Sequence, residues 1–132
     1  MKVHGKDTEI TVDGDAVTTA TNSSQHDREA DEHDITCYGT DDYEFGGGLR
    51  KGAFTMSGIY ADGATGPGAI LRPLIGQVVP IVRKPEGTGT GKPQESFNGL
   101  IKKYTETNPV AGYITWQCDV TRSGAITDTT QS

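Results

Sequence analysis

ITCYGTDDYEFGGGLRKGAFTMSGIY, residues 35–60, decides how this chain is read. Ile35 to Gly39 reads as a short strand closing on an aromatic residue and a glycine. Thr40 to Gly48 follows as an acidic loop carrying Asp41, Asp42 and Glu44, with Tyr43 and Phe45 among them. Gly46-Gly47-Gly48 forms a hinge at its base, because glycine imposes little backbone constraint. Lys51 to Tyr60 then alternates, with Phe54, Met56, Gly58 and Tyr60 on one face of a strand.

Working outward, the flanks are also strand-like. Thr8 to Val12 alternates and ends on Asp13-Gly14, a hairpin-turn dipeptide, so a second short strand is expected from Ala16. Thr18 to Asp34 is almost wholly polar and by composition alone reads as loop or disorder. Ala69 to Ile75 is the helix candidate. It has Leu71 and Leu74 at helical spacing and is shortened or kinked by Pro73. Gln77 to Lys84 is a Val/Ile strand that Pro80 pushes towards a sheet edge or bulge. Pro85 to Pro93 is a flexible connection. Glu95 to Thr105 is a long strand with Phe97 and Ile101 on one face and Leu100 and Tyr104 on the other. Tyr113 to Thr121 turns Trp116 and Cys118 inward, and Ala125 to Asp128 forms a last short strand before a frayed tail. The fold class is mainly β: a two-sheet sandwich or partly open barrel of about seven strands with one short flanking helix. Residues 1–132 make one domain with a flexible N-terminal segment. Its expected core is Phe54, Met56, Leu71, Leu74, Ile101 and Trp116.

The 132 residues hold 33% hydrophobic side chains and 18 glycines, which suits a turn-rich β protein that finishes burying surface on assembly. The net charge of −6 is unevenly spread. Residues 1–44 hold twelve acids against three Lys/Arg, and residues 45–132 hold six acids against nine Lys/Arg. Either the protein has two solvated faces, or its ends attract opposite ends of other copies. Cys37 and Cys118 lack CxxC spacing and read best as buried reduced thiols, with a disulfide open but not implied. Neither a signal peptide nor a membrane span is expected.

Chemistry-bearing motifs fail on inspection. EGTGTGKP, residues 86–93, lacks the first phosphate-loop glycine at Glu86, and Pro93 stands where Ser or Thr should hold magnesium. Lys51 occupies the last glycine position of a dinucleotide pattern. His26, His33 and Cys37 have irregular spacing for a metal site and read better as solvated side chains. The carboxylates from Asp27 to Asp34 lack the regular ligand positions of a calcium loop. No Ser/His/Asp order is persuasive. The reading is of a non-enzyme with no catalytic residues, no metal and no cofactor.

The ordered motifs resemble one family. Thr36, Tyr38 and Gly39, then Gly48, Leu49, Gly52, Phe54, Ser57, Gly58 and Tyr60, are similar to the centre of the tail tube (major tail) proteins of long-tailed, siphovirus-like bacteriophages. Leu71, Leu74, Ile75, Gly76, Val79, Ile81, Arg83 and Pro85 resemble that family's helix-to-strand passage, and Thr121-Arg122-Ser123-Gly124 its late strand. The resemblance implies a structural virion protein whose copies form hexameric rings stacked into a hollow tube for DNA delivery. It implies tape measure and terminator partners, assembly in the host bacterial cytoplasm, and no membrane insertion. It also implies an extended segment near Ser23 to Arg28, with Ser23, Gln25, Asp27 and Glu29 facing the lumen. An acidic bore would let DNA slide without sticking. The acidic loop, with Asp41, Asp42, Tyr43, Glu44 and Phe45, either is a mobile hairpin tip or reaches Arg50, Lys51, Arg83 or Lys84 of another copy. The rival reading is a small β-sandwich that binds carbohydrate or decorates a capsid, with Tyr38, Tyr43, Phe45 and Tyr60 as an aromatic platform.

Overall fold

In the computed structural model, which describes residues 2–131, seven strands form one antiparallel sheet. They are β1 (Glu9–Val12), β2 (Asp15–Ala16), β3 (Thr21–Asp34), β4 (Phe45–Ile59), β5 (Val78–Lys84), β6 (Pro93–Thr107) and β7 (Thr115–Thr130). The spatial order is β2-β1-β5-β6-β7-β4-β3. One short helix, α1 (Pro67–Leu71), continues into a 3-10 turn, Arg72–Leu74. Pro67 starts the helix where no N–H partner is needed, and Pro73 falls in the 3-10 turn.

The two expected layers are parts of this one sheet bent on itself. Pairing of β6 with β7 shifts register between Ser96 and Asn98, opposite Thr127 and Ser123, and Gly124 between them has φ +85°. Along the ladder, His26 of β3 lies opposite Phe54, Phe54 opposite Val120, and Val120 opposite Ile101. Yet the His26 ring touches Glu95, six positions along β6 from Ile101. The far halves of β6 and β7 therefore fold back over the core and carry β5, β1 and β2 with them.

Between the layers lie Phe54, Met56, Leu71, Ile81, Ile101, Trp116 and Cys118, each at most 2% exposed; Leu74 is half-buried against them. Gly99 is required in the second layer, since a Cβ there would meet Val120 and lie 2.9 Å from Cδ1 of Ile81. Asp13-Gly14 makes the tight turn between β1 and β2, with φ of 50° and 83°.

The polar segment is extended at Ser23 to Arg28, as the resemblance implied and against the loop reading from composition; it is a 14-residue strand, β3, whose register to β4 runs from Thr21↔Gly58 to Asp34↔Phe45. Several other expectations change. The glycine triplet belongs to β4, opposite Glu32 and His33, and is not a hinge. Residues 35–44 form the connection, so the expected strand at Ile35 to Tyr38 is absent and Cys37 is exposed. Pro80 lies in β5, between β1 and β6, where β1 has just ended and no ladder N–H is missed; its carbonyl accepts from Asp13 N, 2.8 Å away. A bulge between Ile101 and Lys103 reverses side-chain parity, turning Tyr104 inward against Trp116. β7 is one strand to Thr130, and Gln131 is bonded to Gly87, Gly89, Gly91 and Lys92, so the tail is pinned rather than frayed.

Candidate assembly surfaces

Three surfaces follow from this ladder. The first is the face of β6-β7-β4-β3 turned away from the core. Its rows read Ser23, Ser57, Gln117, Thr105; then Gln25, Thr55, Asp119, Lys103; then Asp27, Ala53, Thr121, Leu100. Glu29 and Lys51 continue it. Ser23, Gln25, Asp27 and Glu29 are all exposed there. The face is rich in hydroxyl and amide groups. Its charges nearly balance: Asp27, Glu29 and Asp119 stand against Lys51 and Lys103. Gln25 donates to Asp27 at 3.0 Å and Gln117 to Asp119 at 3.2 Å along their own strands.

The second surface is a pair of open edges. β3 ends the sheet, with no strand beyond it among the described residues. β5 covers β6 only from Glu95 to Leu100, and Gln77 and Gly76 bond Ile101, so the outer edge of Lys102–Thr107 meets no strand among the described residues. Unpaired edges are templates for another chain. A groove of about 640 Å³ between β3 and the β1 side is lined by Thr8, Thr18, Thr21, Ser24 and Arg83 among others.

The third surface is a ribbon. β7 pairs with β4 only as far as Ala53↔Thr121, while β3 and β4 continue from Arg28↔Gly52 to Asp34↔Phe45. Two strands alone therefore project from the body for about 25 Å at ~3.3 Å per residue. Ile35, Tyr38, Tyr43, Phe45 and Leu49 are all more than half exposed on it, and the Tyr43 and Phe45 rings stack with centroids 6.4 Å apart. Asp41, Asp42 and Glu44 surround them. The Asp34 carboxyl is held below the ordinary range by hydrogen bonding from the Thr36 side chain and then from the Thr36 N–H, 2.9 Å away.

The expected basic partners divide. Arg50 is exposed on the ribbon itself. Lys51 lies 3.5 Å from Asp31 and 4.0 Å from Glu29 of its own chain. Arg83 bonds Glu95 at 2.7 Å, and Lys84 ends β5 opposite Glu9. Tyr60 packs half-buried at the far end of β4 from Tyr38, Tyr43 and Phe45, so these four rings do not form one platform.

A polar cluster that composition concealed sits under β3. His26 is not solvated: its side chain is 2% exposed, between Phe54 (5.6 Å, edge-on) and Phe97 (4.6 Å). Its Nδ1–H donates to Glu95 at 2.7 Å, while Nε2 is buried without a partner among the described residues. Burial alone would raise the Glu95 carboxyl, but bonds from Arg28 and His26 and the charges of Arg83 and Arg28 outweigh it and lower it. The signal available in the sequence was His26 lying between Gln25 and Asp27, which puts it on the opposite face of an alternating strand.

The described residues hold no group of three or more His, Cys, Asp or Glu side chains able to hold a metal. Among the described residues no helix is long and apolar enough to cross a membrane.

No family profile matches the chain, and no curated protein matches it in sequence. Solved structures do match. A chain of the native gene transfer agent virion superposes with TM-score 0.82 at 17% identity, covering 97% of this chain and 99% of that one. The tail of the empty gene transfer agent particle, refined with C6 symmetry, gives 0.80 at 20% identity, over 97% and 99%. The SPP1 tail tube gives 0.77 at 13% identity, over 98% of this chain and 80% of that one. The fold is the tail-tube fold. It spans essentially the whole described chain, ribbon included.

Proposed function

We propose that this chain is a structural subunit of a phage-type tail tube, in which copies join side by side into six-membered rings and the rings stack into a hollow conduit for DNA. The observation that carries the reading is the four-stranded polar face bounded by two unpaired edges. Pairing the β3 edge of one copy with the Lys102–Thr107 edge of the next continues the sheet and satisfies both edges, and repetition closes a barrel. Charge favours that pairing, since β3 carries Asp27, Glu29, Asp31, Glu32 and Asp34, whereas the β6 edge carries Lys102 and Lys103. The polar face then lines the bore. With hydroxyls, amides and nearly balanced charge it offers phosphate no cluster of cations, so DNA passes without the counterion release that drives binding. The whole-length likeness to tail tubes supports the same reading.

The ribbon supplies the contact between rings. Its aromatic tip can bury against the next ring, and Asp41, Asp42 and Glu44 steer it, because exposed charge pairs alone contribute only about 0–1 kcal/mol. Within this reading, tape measure and terminator proteins are partners of the tube, and the subunits assemble in the bacterial cytoplasm.

Negative-stain imaging of the concentrated protein, with sedimentation across a dilution series, tests the proposal. Six-fold rings or tubes with a stain-filled channel are expected; a compact monomer at every concentration would sink it.

A further inference from the structure

The ribbon leaves the body beside a knot of charges. Arg28 is the β3 residue opposite Gly52, the first β4 residue beyond the reach of β7. Its two terminal nitrogens donate to the two carboxylate oxygens of Asp128 at 3.0 and 2.8 Å, and one also lies 3.0 Å from Glu95. Asp128 and Glu95 face each other across β7 and β6 in the folded-back layer. Glu95 in turn takes His26 Nδ1 at 2.7 Å and Arg83 at 2.7 Å. Arg122 of β7 lies over Gly52, its Nε and Nη1 buried without partners among the described residues. The groups packed here are thus His26 and Arg28 from β3, Arg83 from β5, Glu95 from β6, and Arg122 and Asp128 from β7; β4 contributes only the Phe54 ring. Two guanidinium groups and an imidazole bond the two carboxylates, and the charge of Arg122 acts on Asp128 without a hydrogen bond to it among the described residues.

Beyond Arg28 the ribbon's ion pairs run within itself, from Lys51 to Glu29 and Asp31. A lone exposed ion pair is weak, but a two-point arginine–carboxylate contact fixes direction as well as distance. We propose that Arg28, Asp128 and Glu95 form a clasp that fixes the direction in which the ribbon leaves the body, and that opening the clasp lets the ribbon swing while the core stays folded. Loss of either carboxylate charge leaves cations facing one another with too few anions. Hydrogen bonding from Arg28 lowers the Asp128 carboxyl, and Glu95 is lowered as well. The clasp therefore holds at and above the ordinary carboxylate range and opens as pH falls below it.

This inference deepens the tail-tube reading, because a ribbon held in one direction is ready to engage a second copy. Its test is independent of tube growth. Cys37 is exposed near the ribbon tip and takes a nitroxide label, while Cys118 is buried, its thiol pushed up to about 12 by burial, and stays unlabelled. A second label at Thr90→Cys on the body allows pulsed electron spin resonance on dilute, unassembled subunits. A narrow distance distribution is expected in the parent. It should be at least twofold broader in Asp128→Asn and in the parent well below pH 4, and stay narrow in Asp128→Glu, which keeps the charge, with Trp116 fluorescence unchanged throughout. Equal widths in the parent and Asp128→Asn, or broadening that comes with loss of the Trp116 signal, would overturn the clasp. A subunit that never builds tubes would instead refute the tail-tube reading and leave the clasp standing.

Discussion

The indole N–H of Trp116 donates to the carbonyl of Ala20, 3.0 Å away and 96 residues earlier in the chain. That bond joins β7 to the 3-10 turn, Thr18–Ala20, from which β3 departs. The core and the edge strand are thus tied at one point that is both apolar and hydrogen-bonded. Trp116→Ala should cost about 3–5 kcal/mol, as large aromatic truncations do. Trp116→Phe should cost about 1–3 kcal/mol, since the ring is largely kept but the Ala20 carbonyl loses its partner. Urea denaturation of the two variants, set against the parent, checks the order.

Glu95 should set the acid limb of stability. Its carboxyl is lowered in the fold, so the stabilisation it brings is complete above the ordinary glutamate range and is lost as pH falls through the folded value. Glu95→Gln should flatten that limb and cost roughly 3 kcal/mol at neutral pH, because His26, Arg28 and Arg83 then share no anion there. Thermal melts from pH 7 to pH 3 decide it; parallel curves for parent and variant would show that other carboxylates set the limb.

Gly99→Ala should destabilise by about 1–3 kcal/mol through overpacking, because the added methyl meets Val120 and Ile81 inside the closed layers. A melting temperature equal to the parent's would mean that the second layer stands further off than the ladder implies.

Deleting Asp41 to Glu44 at the ribbon tip should leave the melt of the body unchanged but stop growth from rings to tubes. Asp41→Asn, Asp42→Asn and Glu44→Gln together should slow growth less and make it less sensitive to salt. Light scattering during assembly at two ionic strengths measures both effects; tubes of normal length from the deletion would remove the ribbon from the ring-to-ring contact.

How much of this was legible depended on which residues face apolar surroundings. Phe54, Met56 and Trp116 alternate cleanly, so their strands and inward faces could be read directly. β3 could not be read that way. Ten of its fourteen residues are exposed, and its inward positions include His26 and Arg28, whose partners Glu95 and Asp128 lie 69 and 100 residues away. The glycine triplet misled for a related reason: two strands without a third provide no apolar face to mark them as strands. Tyr104 was placed on the wrong face because the bulge at Ile101 and Lys103 adds a residue that periodicity cannot register. The assembly surfaces divide in the same way. Ser23, Gln25, Asp27 and Glu29 follow from alternation once β3 is granted, whereas the engagement of Arg83 by Glu95 needed the bend.

The acidity of β3 has a further consequence. A naked edge strand can pair with its own image across a two-fold axis, and such a pair would be a dead end. Two β3 edges meeting in that way would bring ten carboxylates together against two arginines already engaged within their own chains. Like is therefore kept from like, and only an unlike edge can complete the strand. An interface between unlike edges repeats around an axis instead of terminating at two copies. The same five acids that made this segment look disordered would thus forbid the dimer and leave the ring.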